Sequence, residues 1–456
     1  MQGKNGHPAS GKNKMGTMPV PRLLLSMAIP LMLSLLVQSL YNIVDSIYVS
    51  GIGQDALTAT SLAYPVQILM IALGVGTAVG INALLSRLLG QGRQDEVRNA
   101  AATGLVLALL SSLVFVLVGG CFADGIAAMM TDSAEIAALC AEYLRIVTLF
   151  SLGSFVETMV QRFLQASGRT GLSMVSLIVG AVTNIILDPI MIYGRLGCPA
   201  MGIRGAAVAT VIGQWLGALT AVVLNVLRNP EVPISFRGFR LRVDTVKAIY
   251  RVGLPTIVMQ AMGSVMNFGV NAILADATAT AFFGVYYKLQ NFVVMPVNGL
   301  AQACLPIIGF NYGAGNGGRI RQTIRTALTW GIALGAVCTA LFLLLPGPLL
   351  SLFNAGEALL AIGIPATRIM CCTFIPLAVT TVLGMSASGL GNGVINMLGS
   401  ALRQVIVLLP CFALLKATAG LGTAWFALWI SELVAVLAVI RMTRTELRKK
   451  VDLPGA

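Results

Sequence analysis

The sequence predicts an all-α polytopic membrane protein, with twelve transmembrane helices in two six-helix lobes, related as parallel repeats, around a central cleft. Three observations predict this fold: an apolar composition, apolar runs of helical length, and an internal repeat. Of the 456 residues, 57% are hydrophobic and 10% are charged, and the mean hydropathy is +0.87. Because soluble domains carry about 25% charged residues, this composition excludes an ordinary soluble enzyme and a disordered chain.

Apolar runs of about 20 residues, each long enough to cross a bilayer as a helix, recur along the chain. Many contain Gly or Pro, which predicts kinked helices that pack closely. The predicted spans lie near residues 24–49, 57–83, 99–121, 136–160, 171–194, 203–227, 249–275, 281–306, 323–345, 360–385, 394–415 and 421–441.

The two halves of the chain resemble each other. Pro30 recurs 225 residues later as Pro255, and Gly90 recurs as Gly315 at the same offset. Because the copies run in the same order and each has an even number of spans, the repeats are parallel. We therefore predict a disordered cytoplasmic tail at 1–21, an N-terminal lobe at 22–228, a cytoplasmic linker at 229–248, a C-terminal lobe at 249–442 and a cytoplasmic tail at 443–456.

Basic residues concentrate in the loops on one side of the predicted membrane. Of the 30 Lys and Arg, 23 lie on the side that holds both chain ends, and only Arg195, Arg204 and Lys416 lie in loops on the other side. The positive-inside rule then predicts a multi-pass cell membrane protein with both termini in the cytoplasm. This distribution explains the net charge of +13 without nucleic acid. The expected partners are the lipid bilayer and small amphipathic substrates, and we expect a monomer.

Catalytic and metal chemistry find no support in the sequence. The single histidine, His7, lies in the polar N-terminal segment, and the eight cysteines lie mostly in apolar runs without metal-ligand spacing. No pairing of a nucleophile with a base is visible. We therefore expect neither an enzyme nor a resident metal or organic cofactor.

Two acidic residues within apolar spans, where a charge is costly and suggests function, are the strongest candidates. Asp45 is in the first span and Asp188 in the fifth, and their spacing from flanking cytoplasmic arginines places them at similar depth. Asn184 precedes Asp188 by about one helical turn. Burial and a nearby carboxylate both favour the protonated form of a carboxyl group, so these residues form a candidate proton site that could also hold Na⁺. The alternative is structural: Asp188 bonds at the Pro189 kink, and Asp45 lies near the outer interface.

A second group of residues is predicted, more weakly, to line a substrate cleft. Gln38 and Tyr41 share a helical stripe with Asp45. For the others, packing, snorkelling or ion pairing are equally good explanations. These residues are Glu157, Met159, Lys288, Gln290 and Arg403.

Three further charged residues are expected to have structural roles. Glu142 and Arg145 lie three residues apart on one helix, so we expect them to pair with each other. Glu432, near the middle of the last span, is expected to have a structural partner.

From about residue 22 to residue 448 the chain resembles the multidrug and toxic compound extrusion (MATE) family. The order of the matching motifs makes the resemblance specific. They are Tyr41-Asn42-Ile43-Val44-Asp45, Leu89-Gly90-Gln91-Gly92, Gln165-Ala166-Ser167-Gly168, Asn184-Ile185-Ile186-Leu187-Asp188-Pro189 and Tyr287-Lys288-Leu289-Gln290.

The resemblance implies a cation-coupled exporter of bulky, often cationic drugs that works by alternating access. The proton site of the family corresponds here to Asp45, Asn184 and Asp188, with Thr210 as a candidate on the sixth span. Some relatives bind sodium through acids on spans 7 and 10. Here span 7 holds only Asp276, near its outer end, and span 10 holds none, which favours coupling in the N-terminal lobe. H⁺ is the expected coupling ion, and Na⁺ stays open.

Two other functions are compatible with the sequence. One is a flippase for lipid-linked saccharides, since Lys288, Arg368 and Arg403 would suit an anionic lipid carrier. The other is a passive channel or a structural membrane scaffold. The two acids of the N-terminal lobe favour export of cations over both.

Overall fold

The protein was analysed as a computed structural model that describes residues 13–353 and 356–452. Within these ranges the regular secondary structure is entirely helical. His7 and the rest of residues 1–12 lie outside the described residues. The predicted disorder does not extend to residues 13–21, because a short helix, Lys14–Thr17, is capped by Asn13 and the first long helix begins at Val20.

The first half of the chain contains eight helices among its described residues. They are α1 (Lys14–Thr17), α2 (Val20–Ser50), α3 (Gln54–Gln91), α4 (Gln94–Met130), α5 (Ala134–Leu149), α6 (Leu152–Ala166), α7 (Thr170–Tyr193) and α8 (Ile203–Arg228).

The second half adds ten helices in its described part. They are α9 (Val243–Leu274), α10 (Ala277–Gly313), α11 (Gly317–Leu344), α12 (Pro346–Ser351), α13 (Glu357–Met370), α14 (Phe374–Gly389), α15 (Val394–Ala401), α16 (Leu408–Ala419), α17 (Leu421–Ala424) and α18 (Phe426–Leu447). A 3₁₀ turn, Cys371–Thr373, joins α13 to α14, and a π-helical turn, Leu402–Ile406, separates α15 from α16. A second π-helical turn, Arg448–Asp452, follows α18.

Eleven helical segments among the described residues are long and apolar enough to cross a membrane. The pair α5 and α6, bent by 47° at a short break, makes a twelfth if it counts as one span. A helix of this length satisfies its own backbone hydrogen bonds, which is what a lipid environment demands. The prediction of an all-helical, polytopic membrane protein is therefore confirmed.

The chain forms two compact units. The first, Leu33–Gly253, is called the N-unit; the second, the C-unit, combines the segment ending at Met32 with the segment from Leu254 onward. Both boundaries lie within long helices, close to Pro30 in α2 and Pro255 in α9. Because proline removes a helical hydrogen bond and favours a kink, these are positions where one helix can serve two units. The predicted linker at 229–248 lies inside the N-unit.

Small residues bring α7 and α8 together in the N-unit. A side chain at Gly213 would approach the carbonyl oxygen of Gly180 to 2.8 Å, so the contact requires glycine. The C-terminal end of α7 contacts α2, because the Tyr193 hydroxyl donates to the Tyr48 carbonyl oxygen at 2.7 Å. These contacts hold the acid-bearing parts of α2 and α7 beside each other.

An aromatic cluster forms part of the core of the C-unit. The ring of Trp425 is buried and contacts Phe282 and Phe412 with centroid separations of 5.2 and 5.5 Å. Asp276 lies nearby as the N-cap of α10, where its carboxylate accepts from the Ala279 amide at 2.7 Å. The acid near the end of the predicted seventh span is thus used to cap a helix.

The predicted pairing of Glu142 with Arg145 is wrong. Glu142 pairs instead with Arg204 of α8, and Arg145 pairs with Asp124 of α4 at 2.6 Å. Both arginines reach across to a neighbouring helix, where a carboxylate is available. The spacing along one helix indicated a possible pair but could not exclude partners on other helices.

Candidate functional site

The N-unit contains a cavity of about 230 Å³, lined by residues of α2, α3, α5, α6, α7 and α8. Five of the predicted residues line it, although they come from three helices. They are Gln38, Tyr41, Asp45, Glu157 and Asn184. The structure therefore brings most of the predicted N-terminal site to one place, which we call the acidic cavity.

Asp188 lies just behind the wall of the acidic cavity and is fully buried. Its Oδ1 accepts a hydrogen bond from Asn184 Nδ2 at 3.2 Å, and the same nitrogen lies 3.4 Å from Thr210 Oγ1. Asp45 lines the same cavity as Asn184, the residue that donates to Asp188. The two predicted acids thus share one site.

Several oxygen atoms of this site lack a partner. Asp45 Oδ1, Asn184 Oδ1 and Asp188 Oδ2 are buried and accept no hydrogen bond from the described residues. Buried polar atoms without partners are uncommon in folded proteins and call for an explanation. The explanation we offer is that each of these three oxygens can accept a hydrogen bond from a bound proton donor or contact a small cation. The described residues contain no group of three His, Cys, Asp or Glu side chains that could hold a metal ion.

Glu157 supplies a further carboxylate on another wall of the acidic cavity. Its Oε1 accepts from Gln161 Nε2 at 3.1 Å. The two facing helices leave room for the Glu157 carboxylate. A methyl group at Gly217 of α8 would collide with the carboxylate, and one at Gly180 of α7 would touch it. Glycines on α7 and α8 therefore allow a buried acid to lie against their backbones.

The acidic cavity is negative when its carboxyl groups are ionised. Asp45 and Glu157 line it, and no Lys, Arg or His is among the described residues of its wall. Aromatic rings from α2, α3, α5 and α6 complete the lining: Tyr41, Tyr64, Tyr143 and Phe155. Carboxylates together with aromatic faces are the groups that attract an organic cation.

The C-unit contains a second cavity, of about 300 Å³, which we call the balanced cavity. Gln290 and Arg403, two of the predicted cleft residues, line it. Arg403 Nη1 lies 3.4 Å from Oε1 of Glu432, which confirms that Glu432 has a partner. The predicted cleft residues are thus divided between two cavities, one in each unit.

Two predicted cleft residues line neither cavity. Met159 is buried and faces Gly104 of α4, so it contributes to helix packing. Lys288 is exposed on α10 and forms no ion pair with the described residues. The sequence placed both residues within apolar spans, but it could not show which side of each helix faces a cavity.

The sequence reasoning missed part of the acidic cavity. Gln67 lines it and donates to the Tyr143 hydroxyl at 3.0 Å, and Gln161 and Gln214 line it as well. A glutamine inside a long apolar span was the available signal. Thr210, a candidate on the sixth span, lies at the site and contacts Asn184.

A comparison with known families decides what kind of molecule contains these cavities. The model of the MatE family matches residues 30–190 and 253–413. The chain belongs to the MatE family. The two matched segments correspond to the two halves of the internal repeat, and the resemblance to the MATE family is confirmed.

MatE proteins from staphylococci are similar to this chain over nearly its whole length. The multidrug export protein MepA of Staphylococcus aureus is 26% identical over 431 residues, which cover 92% of this chain and 93% of MepA. MepA of Staphylococcus haemolyticus is 24% identical over 440 residues, with coverage of 94% and 95%.

Solved structures of similar transporters show the same fold. An outward-facing multidrug resistance transporter of the MATE family superposes with a TM-score of 0.87 at 24% identity, covering 98% of this chain and 99% of that one. A transporter of the MOP superfamily from Pyrococcus furiosus, described as having a binding pocket of reversed polarity, gives a TM-score of 0.86 at 24% identity with the same coverage. This MatE chain is therefore a membrane transporter with the two-lobe fold of its family.

Proposed function

We propose that this MatE protein exports bulky organic cations in exchange for protons, and that Asp45 and Asp188 carry the proton. The single observation that supports this most directly is that Asp45, in the wall of the acidic cavity, and Asp188, just behind it, each have a buried carboxyl oxygen without a partner. The relatives named MepA are multidrug export proteins, which supports the same class of substrate. We also propose that both termini lie in the cytoplasm, as the basic loops predict.

The chemistry of exchange follows from charge. When Asp45 and Asp188 are ionised, the acidic cavity attracts a cation. When they are protonated, that attraction falls and the cation is released. Coupling requires that proton and drug differ in their affinity for the inward-open and outward-open states. We propose that protonation changes the packing of α2 against α7, so that α2 bends near Pro30 or near its end at Gly51.

Two neighbouring carboxyl groups are better suited to bind a proton than to bind a metal ion such as Na⁺. One proton removes their mutual repulsion and supplies the hydrogen bond that the pair otherwise lacks. Na⁺ would instead use the free oxygens of Asp45, Asn184 and Asp188 as ligands. Both ions use the same residues, so the coupling experiment must distinguish them directly.

The experiment uses purified protein in liposomes with an imposed pH gradient, an imposed sodium gradient, or neither. We expect uphill ethidium transport driven by the pH gradient alone. Asp45→Asn and Asp188→Asn should each reduce this transport at least tenfold, because an amide cannot take up and release the proton. Asp55→Asn, which changes an exposed acid at the start of α3, should behave as wild type.

Three outcomes would contradict the proposal. Transport driven only by the sodium gradient would replace the coupling ion, and wild-type transport rates in Asp188→Asn would remove the site. Passive equilibration of ethidium without accumulation would indicate a channel. These results are separable because the gradients and the variants are changed independently.

The charge of the cavities disfavours an anionic lipid carrier as the substrate. Of the three cationic residues that would suit such a carrier, only Arg403 lines a cavity, and there it is paired with Glu432. Lys288 and Arg368 are exposed and line neither cavity.

A further inference from the structure

The balanced cavity holds two charged residues that the proposed proton exchange does not use. Arg403 lies in the π-helical turn and Glu432 in α18, and both line the cavity. Their side chains are only 17% and 9% exposed. Ionised groups are seldom buried without full compensation, so this pair requires a physical explanation.

The contact between the two side chains is incomplete. Arg403 Nη1 and Glu432 Oε1 are 3.4 Å apart, and no second contact of the pair is found. Arg403 Nε, Glu432 Oε2 and the neighbouring Gln404 Oε1 are buried without a hydrogen-bond partner in the described part of the chain. Arginine and a carboxylate commonly form two parallel hydrogen bonds. Here each group keeps hydrogen-bonding capacity for a third molecule.

The backbone that carries Arg403 is unusual. Residues Leu402–Ile406 form a π-helical turn between two α-helices. Such turns are rare within α-helices and occur frequently at functional sites. Arg403 and Gln404 of this turn both line the balanced cavity. The irregular turn therefore carries two neighbouring residues of the lining, each with one buried polar atom that lacks a partner.

The balance of charge selects the class of ligand. Arg403 and Glu432 are the two charged residues of the lining, so the cavity has no net charge. A ligand with a single charge would pair with one of them and leave the other without its partner, which is costly in a buried site. A zwitterion offers a carboxylate to Arg403 and an ammonium to Glu432 at the same time.

The proximity of the two side chains limits the zwitterion further. Because Arg403 and Glu432 are in contact, the two charges of the ligand must also be adjacent. An α-amino acid meets this condition, since its carboxylate and its ammonium are bonded to one carbon atom. Met259, Phe283 and Tyr287 give part of the remaining wall an apolar surface, beside amide and hydroxyl side chains such as Gln290 and Thr373.

We propose that the balanced cavity is a separate binding site for an α-amino acid with an apolar or aromatic side chain. The carboxylate binds Arg403, the ammonium binds Glu432, and the side chain lies against the apolar wall. A volume of about 300 Å³ accommodates a molecule of this size. The site goes beyond the proposed cation export, because none of its residues belongs to the acidic cavity.

The test is equilibrium binding of radiolabelled L-phenylalanine to the purified full chain. Unlabelled L-phenylalanine should displace the label. Phenethylamine lacks the carboxylate and hydrocinnamate lacks the ammonium, so each should compete at least tenfold less well. Arg403→Gln and Glu432→Gln should each weaken binding at least tenfold. Lys288→Gln, which removes an exposed cation of the same unit outside the cavity, should bind as wild type.

Ethidium binding to the same variants separates this proposal from the proposed export function. It should be unchanged in Arg403→Gln and Glu432→Gln, because ethidium is assigned to the acidic cavity. If Arg403→Gln does not fold, Arg403→Lys keeps the positive charge and should still weaken binding, and the competition series on the wild type decides by itself. Three outcomes would overturn the proposal. L-phenylalanine does not bind, the single-charge analogues compete equally well, or folded Arg403→Gln binds as the wild type does.

Discussion

The acidic cavity and the balanced cavity lie in two units that derive from one internal repeat, yet their charges differ. The acidic cavity carries Asp45 and Glu157 without a cation in its described lining, whereas the balanced cavity pairs Arg403 with Glu432. Both have similar volumes, about 230 and 300 Å³. The repeat has therefore preserved a cavity in each unit while the electrostatics of the two cavities have diverged.

The positions equivalent by the repeat show how this divergence arose. At an offset of 225 residues Asp45 corresponds to Val270. Later in the repeat, where Ala166-Ser167-Gly168 recurs as Ala387-Ser388-Gly389, the offset is 221 residues and Asp188 corresponds to Leu409. In the reverse direction, Arg403 corresponds to Val182. Each unit has an apolar residue where the other has its charged group. The shape of a cavity thus comes from the helix arrangement, whereas its ligand depends on a few single side chains.

The largest effect is expected from moving an acid to the equivalent position in the C-unit. Val270 is fully buried in the apolar core there. Val270→Asp should lower the free energy of unfolding by about 3 kcal/mol, because it buries a carboxyl group without a partner. Val270→Ala removes only methyl groups and should cost about half as much. Thermal unfolding in detergent measures both, and equal stability of the two variants would contradict the expectation.

A smaller effect is expected at the glycine that faces Glu157. Gly217→Ala places a methyl group against the carboxylate, which must move. We expect ethidium to bind about tenfold more weakly, a loss of about 1.4 kcal/mol. Gly171→Ala on the same unit meets no neighbouring atom and should bind as wild type. In a Glu157→Ala background Gly217→Ala should add little, because no carboxylate remains to be displaced.

The smallest effect is expected at Thr210, which approaches the amide of Asn184. The contact of 3.4 Å is long, so its loss should cost little. Thr210→Val should reduce proton-driven ethidium transport about threefold, the equivalent of about 0.7 kcal/mol. Thr220→Val on the same helix removes a hydroxyl that bonds only to its own helix and is the matched control. A tenfold loss in Thr210→Val would show that the hydroxyl belongs to the coupling site itself.

Polar pairs within one helix could be predicted from helical periodicity, whereas pairs between helices could not. Asn184 and Asp188 lie one turn apart on one helix, and their hydrogen bond was foreseeable. Glu142 finds its partner on α8 and Arg145 on α4, which no spacing along a helix could indicate. Met159 turns toward helix packing and Lys288 lies exposed, because the rotation of each helix about its axis depends on its neighbours.

The sequence by itself determined the membrane fold, the repeat and the two acids. A membrane span requires a long apolar run, and a charge within such a run has a large free-energy cost, so both features are visible in the sequence. Only the tertiary structure decided which polar side chains face one another. Helix packing placed Asp45 and Asp188 at one site and set Glu157 against glycines of two helices. It also paired Arg403 with Glu432 of another helix. The reason is physical: the hydrophobic pattern specifies that a helix spans the membrane, whereas close packing between helices specifies its rotation and its contacts.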